Sequence, residues 1–248
     1  MKPLIVQNAW HQLRRFTPAR IALGRVGDSL PTQAVLEFGL AHARARDAVH
    51  IPLDCETLIA QLKQDGFDIV AVRSAATDRS LYLRRPDLGR QLNEAGRTLL
   101  RQLVLPVKPD VAFMIGDGLS SCAVATHVVP LLKEIRSKLC GWKIAPVVVA
   151  EQARVALGDE VGYLLEAEVT VVLIGERPGL SSPDSLGIYL TYNPQPGRND
   201  SERNCISNVR LEGLSYSVAA HKLYYLMTAA RQLRLSGVGL KDESDLLP

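Results

Sequence analysis

The apolar residues change their period once along the chain. Up to about residue 65 the spacing is helical. Pro31 suits the first turn of a helix, and Ala34, Leu36, Phe38, Leu40, Ala41 and Ala45 follow as an apolar face through Asp47. A second, short helix is expected from Asp54 to the lysine at 63, stopped by Gly66. No strand pattern precedes Phe67, so residues 1–65 read as a helical N-terminal domain or arm and residues 66–248 as a separate α/β part.

From Phe67 onward, apolar runs of strand length alternate with helices. Strands are expected at 67–72, 111–115, 147–150 and 169–174. Helices are expected from Asp87, with Leu88, Leu92, Ala95, Leu99 and Leu103 on one face, and over 120–138 and 155–167. Each strand is apolar at consecutive positions, which predicts a parallel sheet covered on both faces and a doubly wound α/β domain. Past Gly175 the pattern loosens into a turn, a strand at 186–192, a loop at 193–200 and a long helix from Ser215 to Gly237. The polar tail from Lys241 is expected to fray.

Composition removes alternatives without adding a function. The 248 residues are 47% apolar and 22% charged, close to a globular average, with a net charge of only +3. Disordered, collagen-like and coiled-coil readings fall away. So does a dedicated nucleic-acid binder, which would carry a basic stripe with interleaved aromatics. Cys55, Cys122, Cys140 and Cys205 are widely spaced with no C-x-x-C, which fits a reduced, cytoplasmic chain. No apolar run approaches the roughly 18 residues of a membrane span. The basic start carries no acid before Asp28 and lacks an apolar signal core.

Ligands of open α/β sheets gather at the carboxyl ends of the strands, and three stretches fall there. Gly116-Asp117-Gly118-Leu119-Ser120-Ser121 comes close to the dinucleotide fingerprint, with Glu151 at the end of the next strand as an acidic partner. The same glycines also suit an ordinary strand–helix turn. Gly175-Glu176-Arg177-Pro178-Gly179 offers a carboxylate and a guanidinium at one turn. A polar cluster from Asp200 to Asn208 surrounds Cys205, a residue type more often packed than reactive. His11, His42, His50, His127 and His221 have no metal spacing, and no G-x-S-x-G elbow exists.

Taken together, the longer segments resemble the small (light) subunit of ethanolamine ammonia-lyase. They include TPARIALGR from Thr17, ARDAVHIPLD from Ala45, DLGRQLNEAG from Asp87 and FMIGDGLSS from Phe113. ARVALGDEVG from Ala153, IGERPGLSSPDSLGIYLTY from Ile174, ERNCISNVR from Glu202 and GVGLK from Gly237 complete the set. The resemblance implies a Rossmann-like, mostly parallel domain after a helical N-terminal part. It also implies a complex with a catalytic large subunit that turns ethanolamine into acetaldehyde and ammonia with adenosylcobalamin. No catalytic or metal-ligating residue is implied in this chain. Its implied cofactor contacts are Val155, Glu176 and Cys205: apolar contact, hydrogen-bond acceptance, and close packing without a covalent bond.

No D-x-H-x-x-G motif is present, which implies that the cofactor keeps its own base on cobalt. Some relatives carry a longer N-terminal extension linked to bacterial microcompartments. The present start makes cytoplasm the expected setting and leaves encapsulation open. The competing expectation, from Gly116–Ser121 and Glu151, is a free-standing NAD(P)-dependent oxidoreductase.

Overall fold

The structure, a computed structural model, describes residues 4–246. The ends of the predicted basic arm and polar tail, at 1–3 and 247–248, lie outside the described residues. Residues 4–31 run over the surface, tied by an antiparallel bridge between Val6 and Arg25. Helices α1 (Thr32–His50) and α2 (Cys55–Gln64) follow, and the Asp54 carboxylate caps α2 by accepting the Thr57 N–H. The apolar face of α1 is only partly used. Ala41 and Ala48 are buried, whereas Leu36, Phe38 and Leu40 remain exposed.

The body is an α/β fold around a six-stranded sheet of order β1-β3-β2-β4-β5-β6. Its strands are β1 (Ile69–Arg73), β2 (Val111–Gly116), β3 (Val147–Glu151), β4 (Val169–Gly175), β5 (Leu186–Tyr192) and β6 (Arg203–Val209). Its helices are α3 (Arg79–Arg84), α4 (Glu94–Gln102), α5 (Ser121–Lys138), α6 (Leu157–Leu164) and α7 (Tyr216–Leu233). The alternation of side chains along each strand splits the core in two. Val111, Phe113, Ile115, Val169, Val171 and Leu173 pack under α2, α5 and α7. Ala112, Met114, Val172 and Ile174 pack on the opposite face, with Leu100 of α4 and Leu157 and Val161 of α6.

The expected Rossmann-like, mostly parallel sheet requires correction, because the sheet is mixed. β1, β3, β2 and β4 are parallel, but β5 runs antiparallel to β4, and β6 antiparallel to β5. Parallel neighbours need a long crossover, usually a helix. The link from Gly175 to Leu186 contains only a tight turn bridged between Gly179 and Ser182, so the chain returns beside β4 in the opposite sense.

Four local expectations also change. The polar stretch after β1 forms α3, capped by Asp78. The helix expected from Asp87 begins only at Glu94, capped by Asn93, and buries Leu100 in place of Leu99. The polar cluster around Cys205 is a strand, not a loop. The tail is docked as far as Asp245, where Lys222 of α7 reaches Asp242 at 3.2 Å and Asp245 at 2.8 Å.

Candidate functional site

The carboxyl ends of β2, β3 and β4 enclose a cleft of about 430 Å³. Val155 and Glu176 both line it, together with Tyr82, Gly118, Arg154 and Tyr189. Each wall is set by local chain chemistry.

After β3 the chain turns at Gln152, whose φ of 55° is left-handed. That conformation costs a non-glycine residue about 1–2 kcal/mol, so neighbouring contacts must hold it. Three do. The Asp117 carboxylate accepts the Ala153 N–H at 2.9 Å, the Tyr82 hydroxyl donates to the Ala153 carbonyl at 2.9 Å, and the Arg154 N–H donates to the Gly89 carbonyl at 2.8 Å. The result sets Val155, half-buried, in the turn before α6 and not inside a helix.

Glu176 follows β4. Its backbone N–H donates to the Ser185 carbonyl at 2.9 Å. Its carboxylate accepts from the Ser185 hydroxyl, from the Ser207 hydroxyl at 2.6 Å and from the Asn208 N–H at 3.3 Å. A carboxylate has about four acceptor sites, so three donors orient it and leave one direction for a ligand. The polar cluster around Cys205 thus supplies two of the three donors that fix Glu176, with Ser185 the third.

Cys205 does not line the cleft; it stands behind Tyr189, its cross-strand partner. Burial of the sulfur pushes the thiol pKa up, and the Glu176 charge pushes it the same way, against the neighbouring Tyr189 hydroxyl. Burial likewise raises the Tyr189 phenol. Although the residue is solvent-exposed, its thiol is held toward the neutral form, which argues against an activated nucleophile.

The dinucleotide-like turn is built differently. Gly118, at φ 56°, lies so close to β4 that a Cβ there would overlap the Gly175 carbonyl oxygen. The Leu119 N–H donates to that oxygen at 2.9 Å. Ser120 caps α5, and its hydroxyl donates to the Pro183 carbonyl at 2.8 Å, while the Ser121 hydroxyl donates to the Ile51 carbonyl at 2.5 Å. Asp117 is buried against Arg79 at 2.9 Å, and burial raises its pKa despite that partner. Glu151, the expected acidic partner, forms an ion pair with Arg73 instead. The helix N-terminus that would receive a pyrophosphate is closed by the chain's own groups.

Sequence reasoning missed Tyr82, Arg154 and Tyr189. Arg154 adjoins Val155 inside a segment already singled out, so a search for cations near an expected contact could have found it. Tyr82 sat in a stretch with no apolar period. Among the described residues no group of three or more His, Cys, Asp and Glu side chains could hold a metal ion, and no helix is long and apolar enough to cross a membrane.

Comparison with known proteins bears on the same segments. The family model described as ethanolamine ammonia-lyase light chain matches residues 7–241. A protein from Pseudomonas fluorescens named ethanolamine ammonia-lyase small subunit is 56% identical over 248 aligned positions, covering 98% of this chain and 90% of its own. Proteins of the same name from Pseudomonas putida and Pseudomonas aeruginosa are 57% and 54% identical, each over 97% of this chain and 90% and 89% of their own lengths.

Proposed function

This chain belongs to the ethanolamine ammonia-lyase light-chain family, and from that premise we propose that it is the small subunit of an adenosylcobalamin-dependent ammonia-lyase. In this reading it helps bind and enclose the cofactor against a large subunit, and the complex converts ethanolamine to acetaldehyde and ammonia. The observation that carries it is that Val155 and Glu176 line one strand-tip cleft together with Tyr189, the cross-strand partner of Cys205.

The donor set suits a corrinoid. Cobalamin presents a wide, mostly neutral rim of amides around an apolar ring, and the cleft offers a matching mixture. Val155 and Tyr189 supply apolar contact, the free direction of the Glu176 carboxylate accepts an amide N–H, and Arg154 brings a buried guanidinium nitrogen with no partner among the described residues. When bound, adenosylcobalamin supplies the radical chemistry itself. This chain supplies orientation and exclusion of water. The Glu176 carboxylate is held by three donors before any ligand arrives, which lowers the cost of ordering it on binding.

A subunit role also gives a reason for the unburied apolar side chains of the N-terminal part. Trp10, Phe16 and Leu36 are each about two-thirds exposed or more, a surface that fits the large subunit and not bulk water. The oxidoreductase reading has no support, because Glu151 at the end of β3 and the α5 terminus after β2 are both already engaged within the chain.

The test is to co-produce this chain with an ethanolamine ammonia-lyase large subunit and follow corrinoid binding and ammonia release. Activity should need both chains and adenosylcobalamin. Full activity from the large subunit alone, or tight NAD binding by this chain alone, would sink the reading.

A further inference from the structure

We infer that Arg154 is the phosphate-binding residue of the cleft, pairing with the phosphodiester of the cobalamin nucleotide loop; this rests on the cobalamin reading above.

The argument begins with charge balance. Two guanidinium groups flank the buried ring of Tyr82, Arg79 at 4.8 Å and Arg154 at 4.4 Å from its centroid. Arg79 is satisfied by the Asp117 carboxylate at 2.9 Å and the Val49 carbonyl at 2.8 Å. Among the described residues, Arg154 has no carboxylate within ion-pairing distance and no side-chain hydrogen bond, and its buried Nε has no partner. A cation held partly out of water without an anion is costly unless something else supplies the anion.

The position is also built and not accidental. Gly89 lies against both members of the stack, where a Cβ would come within 2.9 Å of Arg154 Cγ and of the Tyr82 ring. The Arg154 backbone is fixed to the Gly89 carbonyl. Tyr82 is in turn fixed through its hydroxyl to the Ala153 carbonyl. The planar guanidinium is therefore stacked in place on a residue that lines the cleft, and a guanidinium so held binds phosphate through two parallel hydrogen bonds. The cobalamin periphery is otherwise neutral amide, and its one formal anion is the phosphodiester. Two arginines without an ion pair among the described residues line the cleft, Arg154 and Arg177. Arg177 is exposed, whereas Arg154 is half-buried and stacked, so Arg154 is the one held in place to select that group and give the cofactor a direction in the cleft.

The test compares two corrinoids that differ only in phosphate, cobinamide and cobinamide phosphate. Binding to the assembled two-subunit complex is followed by the corrin absorption after equilibrium dialysis. The native complex should prefer cobinamide phosphate by about ten- to hundred-fold, the scale of a hydrogen bond to a charged group. Arg154→Gln should abolish most of that preference while leaving cobinamide affinity within about two-fold, well below the ten-fold that 1.4 kcal/mol represents. A native complex with no phosphate preference, or an Arg154→Gln complex that keeps it, overturns the inference. Equal weakening toward both corrinoids does so too.

Arg154→Lys guards against a glutamine variant that fails to assemble. It keeps the charge but not the planar fork, so its preference should fall several-fold below native, and an unchanged preference counts against the inference. If the native complex binds neither corrinoid nor adenosylcobalamin, it is the cobalamin reading itself that fails.

Discussion

The turns after β2 and β4 touch each other at the same end of the sheet, yet they are built on opposite plans. The turn after β2 has the composition of a ligand loop, and its polar groups find partners within the chain: Asp117 with Arg79, Ser120 with Pro183, Ser121 with Ile51. The cleft on the other side shows no complete motif and keeps acceptor and donor capacity in reserve, on Glu176 and Arg154. Glycines that look like a phosphate cradle can serve only to let two backbones meet. A binding site is better marked by polar capacity left over after the chain's own hydrogen bonds are counted.

The largest expected effect tests the closed turn. Gly118→Ala adds a Cβ against the Gly175 carbonyl and forces a left-handed φ on alanine. The loss should exceed about 3 kcal/mol, seen as a fall in the urea midpoint at unchanged slope, or as insoluble chain. A variant of native stability would mean that the two turns separate easily and that the cleft is wider than described.

Next in size is the contrast between the two acids that a dinucleotide reading would have grouped. Asp117→Ala strands the Arg79 guanidinium in a buried site and should cost about 3–5 kcal/mol. Glu151→Ala removes half of an ion pair whose side chains are both more than one-third exposed, and should cost under about 1 kcal/mol. Equal losses in chemical denaturation would erase the distinction between a buried brace and a surface pair.

That contrast also shows where the sequence was legible. Of the parallel strands, β2, β3 and β4 could be read because burial on both faces leaves a nearly continuous apolar run, as in the wholly buried 169–175 segment, whereas β1 sits less buried at the sheet edge. β6 could not, because it buries only Arg203, Ile206 and Val209, a spacing that matches neither a strand nor a helix period. Its start is fixed by a buried ion pair between Arg203 and Asp159 at 2.5 Å, a contact across 44 residues that no local pattern announces. Val155 and Glu176 were legible through family resemblance. Arg154 was not, because an arginine shows itself as unpaired only once every neighbouring acid has been located in space.

A smaller effect is expected at Glu176. Glu176→Ala leaves the Ser185 and Ser207 hydroxyls and the Asn208 N–H without their acceptor, but the site is half-buried and water can replace part of the loss. Stability should fall by about 1–2 kcal/mol, while corrinoid affinity in the assembled complex falls by about ten-fold or more. Unchanged affinity would remove Glu176 from the site and leave it as a clasp between β4 and β6.

The smallest effect concerns whether the open side of the comparison is reactive as well as unsatisfied. Burial and the Glu176 charge both raise the Cys205 pKa, so the thiolate forms only above the range of a free thiol, about 8.5. Burial also pushes Cys55 up, to about 12. For such groups the folded state favours the neutral thiol. Their contribution to stability is present below the unfolded pKa and is lost as pH rises toward the folded one. Both Cys205 and Cys140 are solvent-exposed residues, so the raised Cys205 pKa is what should make its alkylation by iodoacetamide at pH 8 lag behind that of Cys140, as peptide mass mapping over time would show. Faster modification at Cys205 would mean an activated thiol at the rim, and the cleft would then have chemistry of its own. Slow modification leaves it with recognition alone, which is what a subunit completed by a partner requires.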